Sequence, residues 1–575
     1  MGRARAPRRP DRTSIAARGV KAARGASAGQ LAADPGTLAG VELRRLRGEL
    51  VLGWAAAAVG ATGIASALTP EFADRSDFVR GVLPPGFPGA ARVLALTFGL
   101  TLIWLSRSLA RRRRRAWQLA VLLVVGLAIA HLAKGLDVEE ASLSLLVLAA
   151  LFRFRKRFDV PGDPLFVRPL LVTTLAFTTT AALVVVLDLR GFRGDRIEDV
   201  LAAFSLVLGF RTLHLWLRPI SQRVRQSAEE RRLVRKLVRS HGDDSLAFFS
   251  LRRDKSYFFS PTRKSFVAYK VVGGCALVSG DPIGDKAERP QLLAEFQRVC
   301  HTRDWRLALL GASGELLPAA RALGLRAIKI GDEAVVRPAA FSLEGRAIRK
   351  VRQSVTRLER EGYRFQVVAA CDVDTTLRAE LESVSAAWRG SNVERGFSMA
   401  MDDQFREPDT FFAIAERDDT VGGFLHVVPS GRGFSLGAMR RRRDTPNGLM
   451  EFLIVELLGW ARERDAEEIS LNFCVFTDLL AETPRNRLAA IARGVLRVGD
   501  RLFQLERLLV FSRKFSPEWR PRYLCVERLS DLILVGVAYL RVESLLTPPG
   551  PWARRAAEAL PDHSEETAAA HRHGV

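Results

Sequence analysis

Long apolar runs separated by charged loops dominate the first 220 residues of the chain. The run at 50–68 contains no charged residue, and its length approaches the roughly 20 residues that a helix needs to cross a bilayer. Further apolar runs follow at 93–109, 116–133, 141–152, 169–187 and 200–217. The run at 141–152 is short, and the run at 200–217 carries Arg211 and His214. The pattern predicts about six transmembrane helices.

The loops between these runs alternate in charge. Arginine-rich stretches precede the first run and follow the second, fourth and sixth, whereas the other loops are mixed or acidic. Because positively charged loops stay on the cytoplasmic side, six spans with both termini inside satisfy this alternation. We therefore expect a multi-pass protein of the cell membrane whose chain beyond about residue 220 is cytoplasmic.

Beyond residue 220 the pattern changes to β-rich runs that alternate with segments of helical spacing. Strands are predicted at 265–278, 306–310, 326–330, 363–368, 411–416, 421–428 and 468–473. Helices are predicted at 291–302, 315–323, 344–361 and 375–388. The chain is therefore expected to be an α-helical membrane domain followed by a cytoplasmic α/β domain of two similar modules in tandem.

Composition sets the expected domain boundaries. Residues 1–48 are rich in Arg, Ala, Gly and Pro and lack the apolar groups needed for a core, so we expect a disordered basic tail. The membrane domain is expected at 49–220, the two modules at 221–340 and 341–545, and a flexible tail at 546–575.

The overall charge indicates the kind of partner. A formal net charge of +24 and a sequence pI of about 10.8 favour polyanions, either nucleic acid or anionic lipid headgroups. The five cysteines are scattered without a CxxC pair, which is typical of reduced thiols rather than a disulfide framework.

Common cofactor and nucleophile motifs are missing from the sequence. The histidines are dispersed without HExxH, neither GxxxxGK[ST] nor a strand-borne GxGxxG occurs, and there is no GxSxG elbow. We therefore expect no metal and no resident cofactor, and no use of ATP to activate a substrate.

One strand and the helix after it suggest acyl-transfer chemistry. Residues 421–428 resemble the central strand of an acyltransferase of the GNAT type, and such folds bind a phosphorylated cofactor at the N-terminus of the helix that here follows Pro446. The Gly-rich pyrophosphate loop of acetyl-CoA enzymes is replaced by Asp-Thr-Pro-Asn-Gly at 444–448. This replacement argues against acetyl-CoA as the donor.

Four ordered motifs resemble a known family, the lysyl-phosphatidylglycerol synthases, also called multiple peptide resistance factors. They are FSLEGRAIRKVRQSVTRLEREGYRF (341–365), PNGLMEFLIVE (446–456), ISLNFCVF (469–476) and KFSPEWRPRYL (514–524). The resemblance covers roughly residues 230–545 and implies a tandem GNAT-like fold behind membrane spans.

The resemblance also implies a reaction. The family moves an amino acid from aminoacyl-tRNA to the glycerol hydroxyl of phosphatidylglycerol, which exchanges one ester for another without ATP. We expect aminoacyl-tRNA as the donor substrate, lysine as the amino acid, and an anionic membrane containing phosphatidylglycerol as the partner. The cationic product would lower the negative charge of the membrane and so weaken its attraction for cationic peptides. The resemblance therefore also implies resistance to such peptides. Formation of a homo-oligomer is left open.

Three residues are candidates for catalysis. Glu451 lies one turn into a helix between large apolar residues, where it would accept a proton, although stabilisation by the helix dipole is an alternative. Asn447 precedes this helix and Asn472 ends a strand, and each would orient substrate or serve as a turn or strand-end amide. Glu456 is expected on the solvent-facing side of the same helix.

Substrate binding is assigned to charged groups. Lipid phosphate or the tRNA end would be bound by cations, and a cationic aminoacyl group by a carboxylate. The candidates are Asp444, Arg440, Lys514, Arg520, Arg522, Arg349 and Lys350. Solvated charge or helix capping is the alternative at each position. His426 lies in an apolar strand and is expected to be a core histidine.

Two other functions compete with the aminoacyltransferase. One is a membrane-tethered acetyltransferase that uses acyl-CoA, and the missing pyrophosphate loop argues against it. The other is a non-catalytic membrane protein that binds lipid or nucleic acid, for which the Glu451 carboxylate would be dispensable.

Overall fold

The computed structural model of the chain describes residues 35–69, 87–135, 137–160, 167–189, 196–217, 220, 222, 224, 226–390, 396–475 and 505–544. Residues 1–34 of the expected basic tail and the expected C-terminal tail at 546–575 lie outside this range. The chain divides into two compact units, 1–160 and 161–575.

Helices form over all six apolar runs. They are α1 (Pro35–Leu68), α2 (Phe87–Leu109), α3 (Arg114–Gly135), α4 (Val138–Arg153), α5 (Val167–Leu189) and α6 (Arg196–Trp216). Among the described residues, Leu50–Leu68 and Arg114–Leu132 are long and apolar enough to cross a membrane. Helix α1 begins at Pro35, within the range 1–48 for which a disordered tail is expected.

The rest of the second unit is an α/β domain. Its strands are β1 (Ser256–Phe259), β2 (Ser265–Val272), β3 (Cys275–Ser279), β4 (Ile283–Gly284), β5 (Arg306–Ala312), β6 (Arg326–Val336), β7 (Arg364–Ala369), β8 (Phe411–Arg417), β9 (Thr420–Ser430), β10 (Gly433–Arg441), β11 (Glu468–Val475) and β12 (Glu518–Val526). Its helices are α7 (Ala228–His241), α8 (Arg289–Thr302), α9 (Leu317–Ala322), α10 (Arg349–Arg360), α11 (Thr375–Arg389), α12 (Leu449–Arg462), α13 (Leu505–Arg513) and α14 (Leu532–Val542).

All twelve strands belong to one sheet. Eleven follow the order β1-β2-β3-β5-β12-β6-β11-β10-β9-β8-β7, and β4 pairs with β2. Strands β3 and β5 are parallel and are connected through α8, and β10 and β11 are parallel and connected through α12. This repeated β–α–β unit is the physical basis of the two modules. Strand β12, from the end of the chain, lies between β5 and β6.

Several predicted elements differ from the observed ones, and strand β6, expected at 326–330, extends to Val336. The single strand expected at 265–278 is a hairpin, because Gly273 and Gly274 have φ angles of +60° and +77° and turn the chain between β2 and β3. The basic helix expected at 344–361 begins only at Arg349.

A segment of the second module packs into the first. The largest core cluster lies where α10 and α12 cover the sheet, and it includes Val355 and Phe452. By contrast, Phe397 is fully buried among Leu277 and Ala308 of β3 and β5, and Met401 packs near α7. The segment 396–402 therefore ties the two modules together.

We predict that Phe397→Ala loosens both modules at once. Truncating a fully buried phenylalanine costs about 3–5 kcal/mol, because the removed ring leaves a cavity. Hydrogen exchange in the full chain should become faster in β3, which is more than a hundred residues away in sequence. Truncation of the partly buried Phe365 on β7 is the control, and faster exchange confined to the second module would contradict the tie.

Candidate active site

The parallel strands β10 and β11 separate near their carboxyl ends. Their pairing runs only to Ser435 and Ser470, and the next polar residue, Asn472, has a φ of +74°. The Asn472 side-chain amide donates to the carbonyl of Leu436 on β10 at 2.9 Å and to the carbonyl of Met399 at 3.0 Å. The amide thus bridges the gap between the two strands and fixes the segment that ties the modules.

His426 lies beside this gap on β9. Gly437 forms a bulge in β10, and a Cβ at this glycine would lie 2.7 Å from Nδ1 of His426. The imidazole is fully buried beside the ring of Phe412. Burial lowers the pKa of His426 to about 4, so the ring is neutral at physiological pH. The burial of the ring is that expected of a core histidine.

Glu451 and Lys514 form an ion pair. The Oε1 and Nζ atoms are 2.6 Å apart, and the side chains are 14% and 40% exposed respectively. Phe511 and Phe515 belong to the core cluster around this pair, and the ammonium group lies 5.4 Å from the centre of the Phe511 ring. The pair joins the first turn of α12 to the segment before β12. Glu456, expected to face solvent, is only partly exposed.

Two arginines donate hydrogen bonds to backbone carbonyl groups of the turn before α12. A guanidinium nitrogen of Arg357 on α10 donates to the backbone oxygen of Asn447. Arg441 donates to the backbone oxygen of Pro446 at 3.3 Å. The structure therefore explains two of the clustered arginines as supports of the turn at 444–448.

Arg522 lies in a buried charge cluster between the modules. Its Nε donates to Glu333 on β6 at 2.9 Å, its Nη1 to Asp244 at 2.6 Å and its Nη2 to Ser245 at 2.9 Å. Glu333 also accepts from the hydroxyl of Ser470 at 2.5 Å. Burial disfavours the guanidinium charge, yet Asp244 and Glu333 raise the pKa of Arg522 above its ordinary value.

Arg520 is also paired within β12. It donates to Glu518 at 3.0 Å and to Glu468 at 2.7 Å, and the hydrogen bond with Glu468 raises its pKa. Regular structure accounts for the charge in this stretch, because Arg520 and Arg522 lie on a strand and face carboxylates. A role for Arg520 and Arg522 in substrate binding stays a prediction.

The other candidates lie at the surface or at a strand end. The Arg440 guanidinium stacks 4.0 Å from the ring of Trp388, which is half exposed. Asp444 is exposed before the turn, and Arg349 and Lys350 are exposed at the start of α10. The structure therefore brings together Glu451 and Lys514 but gives no direct contact between them and these residues.

Within the described residues, no three His, Cys, Asp or Glu side chains form a group that could hold a metal ion.

The α/β domain is similar to a known protein family. The profile of the family described as phosphatidylglycerol lysyltransferase, C-terminal, matches residues 235–526, just over half of the chain. The chain belongs to this family.

Two curated relatives are similar to the chain over part of their length. Both are named lysylphosphatidylglycerol biosynthesis bifunctional protein LysX. The one from Rhodococcus jostii is 37% identical over 324 residues, which cover 55% of this chain and 29% of the relative. The one from Mycobacterium tuberculosis H37Rv is 36% identical over 365 residues, which cover 62% of this chain and 31% of the relative. The chain thus spans about a third of the length of these relatives.

A solved structure shows the fold of the α/β domain. The structure of L-PGS from Bacillus licheniformis matches this chain with a TM-score of 0.51 and 22% sequence identity. The match covers 57% of this chain and 99% of the L-PGS chain. The α/β domain therefore has the fold of this synthase domain, which agrees with the expected GNAT-like architecture.

Sequence reasoning missed several buried polar residues of the family domain. Lys255 is fully buried and donates to the carbonyl of Phe249 and the hydroxyl of Ser279, both at 2.7 Å, and burial lowers its pKa. Asp281 accepts from the Ser313 hydroxyl at 2.6 Å. Neither residue lies in a recognisable motif, and the partners Ser279 and Ser313 are 24 and 32 residues away in sequence.

Gly448 supplies a test of the turn before α12. Its φ is +97°, and a Cβ there would lie 2.7 Å from the Ser354 side chain on α10. Helix α10 thus packs against the turn that precedes α12.

We predict that Gly448→Ala destabilises the domain by about 1–3 kcal/mol, because a side chain at positive φ is strained and collides with α10. Gly459→Ala on the same helix is the matched control. A Cβ at Gly459 meets no atom within 4 Å, so alanine should stabilise the helix by about 0.5–1 kcal/mol. Thermal unfolding of both variants measures the difference, and equal shifts would contradict the packing.

Asp281 predicts a pH dependence of stability. Burial and the nearby Asp244 carboxylate raise the pKa of Asp281 from 3.8 to about 6. The native state therefore binds more protons than the unfolded chain between these values, so the contribution of Asp281 to stability falls as pH rises from about 4 to about 6. Asp281→Asn should remove this loss.

The measurement is the melting temperature from pH 4 to pH 7. Relative to the unmodified protein, Asp281→Asn should melt at increasingly higher temperature as the pH rises. Asp285→Asn, on the exposed loop nearby, is the control and should run parallel to the unmodified protein. Parallel curves for both variants would show that the Asp281 carboxyl is not perturbed.

Proposed function

We propose that the chain transfers an amino acid, with lysine as the first candidate, from aminoacyl-tRNA to the glycerol hydroxyl of phosphatidylglycerol. The observation that carries this proposal is the family match at 235–526, which contains all of the candidate catalytic and substrate-binding residues. The names of the curated relatives refer to biosynthesis of lysylphosphatidylglycerol, which supports this product.

The reaction is an exchange of esters. The glycerol hydroxyl oxygen attacks the aminoacyl carbonyl carbon, a new C–O bond forms, and the C–O bond to the terminal ribose breaks. The proton of the glycerol hydroxyl ends on the ribose oxygen that leaves. One ester replaces another, so the reaction requires neither ATP nor a redox partner.

Glu451 is the proposed proton acceptor. Its carboxylate lies in the first turn of α12, and its contact with Lys514 fixes its orientation. A base held in this way saves the orientation cost of the proton transfer. Asn472 holds the edges of the gap between β10 and β11, so we assign it a positioning role.

The arginine-rich surface and the membrane helices complete the proposal. Arg349 and Lys350 are exposed on α10, where they provide positive charge for tRNA or lipid phosphate. The alternating loop charge of the six apolar runs supports a multi-pass protein of the cell membrane whose α/β domain is cytoplasmic. Among the described residues, two of the helices in these runs are long and apolar enough to cross a membrane.

We predict that Glu451→Gln lowers transfer by about 10²–10⁴-fold, the usual contribution of a general base. The full chain is reconstituted with phosphatidylglycerol and tRNA charged with a labelled amino acid, and the lipid extract is analysed by mass spectrometry. Ribonuclease added at the start should abolish the aminoacyl lipid.

Glu456→Gln is the matched control. Glu456 lies on the same helix, and burial and the nearby Glu359 raise its pKa, so the amide should be tolerated there. Transfer by this variant should stay near that of the unmodified protein. Full activity of Glu451→Gln would reject Glu451 as the base, and the absence of aminoacyl lipid with every charged tRNA would reject the function.

A further inference from the structure

Helix α14 is apolar around most of its circumference. Residues 532–540 read LILVGVAYL, and Tyr539 carries the single polar side chain. Val535, Ala538 and Val542 pack inward against a core that includes Leu277 of β3. A helix that is apolar on all sides is usually buried in protein or lipid, whereas a helix on a domain surface normally has a polar outer face.

The outer face of α14 is nevertheless exposed. Leu529, in the turn just before the helix, is 49% exposed, Ile533 is 79% exposed and Leu534 is 44% exposed. Val537 and Leu540 follow Ile533 by four and seven residues and are half-buried on the same side. Contiguous exposed apolar side chains mark an interaction surface, in contrast to scattered single ones.

Positive charge flanks this apolar face. Arg528 and Arg541 are exposed at its two ends. The neighbouring carboxylates are occupied or buried: Asp531 pairs with Arg306 at 2.9 Å, and Glu543 is buried. The exposed charge of this surface is therefore cationic, which is complementary to anionic lipid headgroups.

The same charges disfavour a second copy of the chain as the occupant. In a two-fold contact between antiparallel copies of α14, Arg528 of one copy would face Arg541 of the other. Two like charges would then meet at each end of the apolar contact. A bilayer surface instead receives the apolar side chains between its headgroups and pairs the arginines with phosphates.

We propose that the outer face of α14 docks on the surface of an anionic bilayer, with Leu529, Ile533 and Leu534 inserted and Arg528 and Arg541 on headgroup phosphates. This inference rests on the proposed function in one respect, because a lipid acceptor requires the α/β domain to meet the membrane. The docked helix would hold the domain in one orientation on the bilayer.

The test places an environment-sensitive fluorophore on α14 of the full chain in nanodiscs. Ile533→Cys is labelled in a background that carries Cys371→Ser and Cys474→Ser, because the three remaining cysteines, Cys275, Cys300 and Cys525, are buried. Val510→Cys is the matched control, because Val510 is apolar and 53% exposed but lies on α13, which packs on β11. Spin-labelled lipid at the depth of the upper acyl chains is the quencher.

We expect lipid quenching at position 533 and not at position 510 in nanodiscs that contain phosphatidylglycerol. Replacing Arg528 and Arg541 with glutamine should weaken docking by roughly fivefold per arginine, so quenching should fall. Position 533 unquenched in these nanodiscs overturns the proposal. Energy transfer between labels on two copies, without lipid quenching, also overturns it and identifies a second copy as the occupant.

The same nanodiscs are assayed for aminoacyl lipid, which separates the two hypotheses. Aminoacyl lipid without quenching rejects docking by α14 and retains the proposed function. Quenching without aminoacyl lipid, for every charged tRNA tested, retains docking and rejects the proposed function. Circular dichroism of each labelled variant confirms that the fold is intact.

Discussion

The α/β domain depends on the buried ion pairs that the Arg522 guanidinium forms with carboxylates. Arg522 lies on β12 and contacts Glu333 on β6, Asp244 and the carbonyl of Gly311 on β5. Removing one partner of a buried ion pair leaves an uncompensated charge, so such a cluster strongly selects one arrangement of the strands that carry it. The cluster therefore specifies how β12 lies between β5 and β6.

The candidate site depends on this placement of β12. Lys514 lies only four residues before the strand begins, and its ammonium group contacts Glu451 on α12. The register of β12 thus determines the position of Lys514. The ammonium group of Lys514 in turn orients the Glu451 carboxylate. The position of the Glu451 carboxylate, the base proposed above, therefore depends on a strand inserted into the other module.

Much of the framework could be predicted from the sequence because its apolar periodicity is regular. Helix α8 and strand β9 were expected within a few residues of their observed bounds. Strand β12 could not be predicted, because Pro521 and the charges at 518, 520 and 522 are typical of a loop. The arginines are compatible with a central strand because Arg520 pairs with Glu468, and Arg522 pairs with Glu333, from distant parts of the chain.

The candidate site shows the same limit. Glu451 and Lys514 were each identified as unusual, but their contact depends on a separation of 63 residues that no local pattern reveals. Glu333 and Asp281 carried no signal, because buried polar residues acquire their role from tertiary partners. The choice of Asn472 as a polar group at a strand end was local, and the structure gives it partners on two further segments.

The insertion of β12 also has a consequence for biosynthesis. Residues Glu333 and Arg522 are 189 positions apart, so β5 and β6 leave the ribosome long before the strand that fills the space between them. During that interval each strand has an unpaired edge, which is a template for wrong pairing. The nascent chain must keep these edges apart until β12 is made, so the first module completes its sheet only after most of the second module has been synthesised.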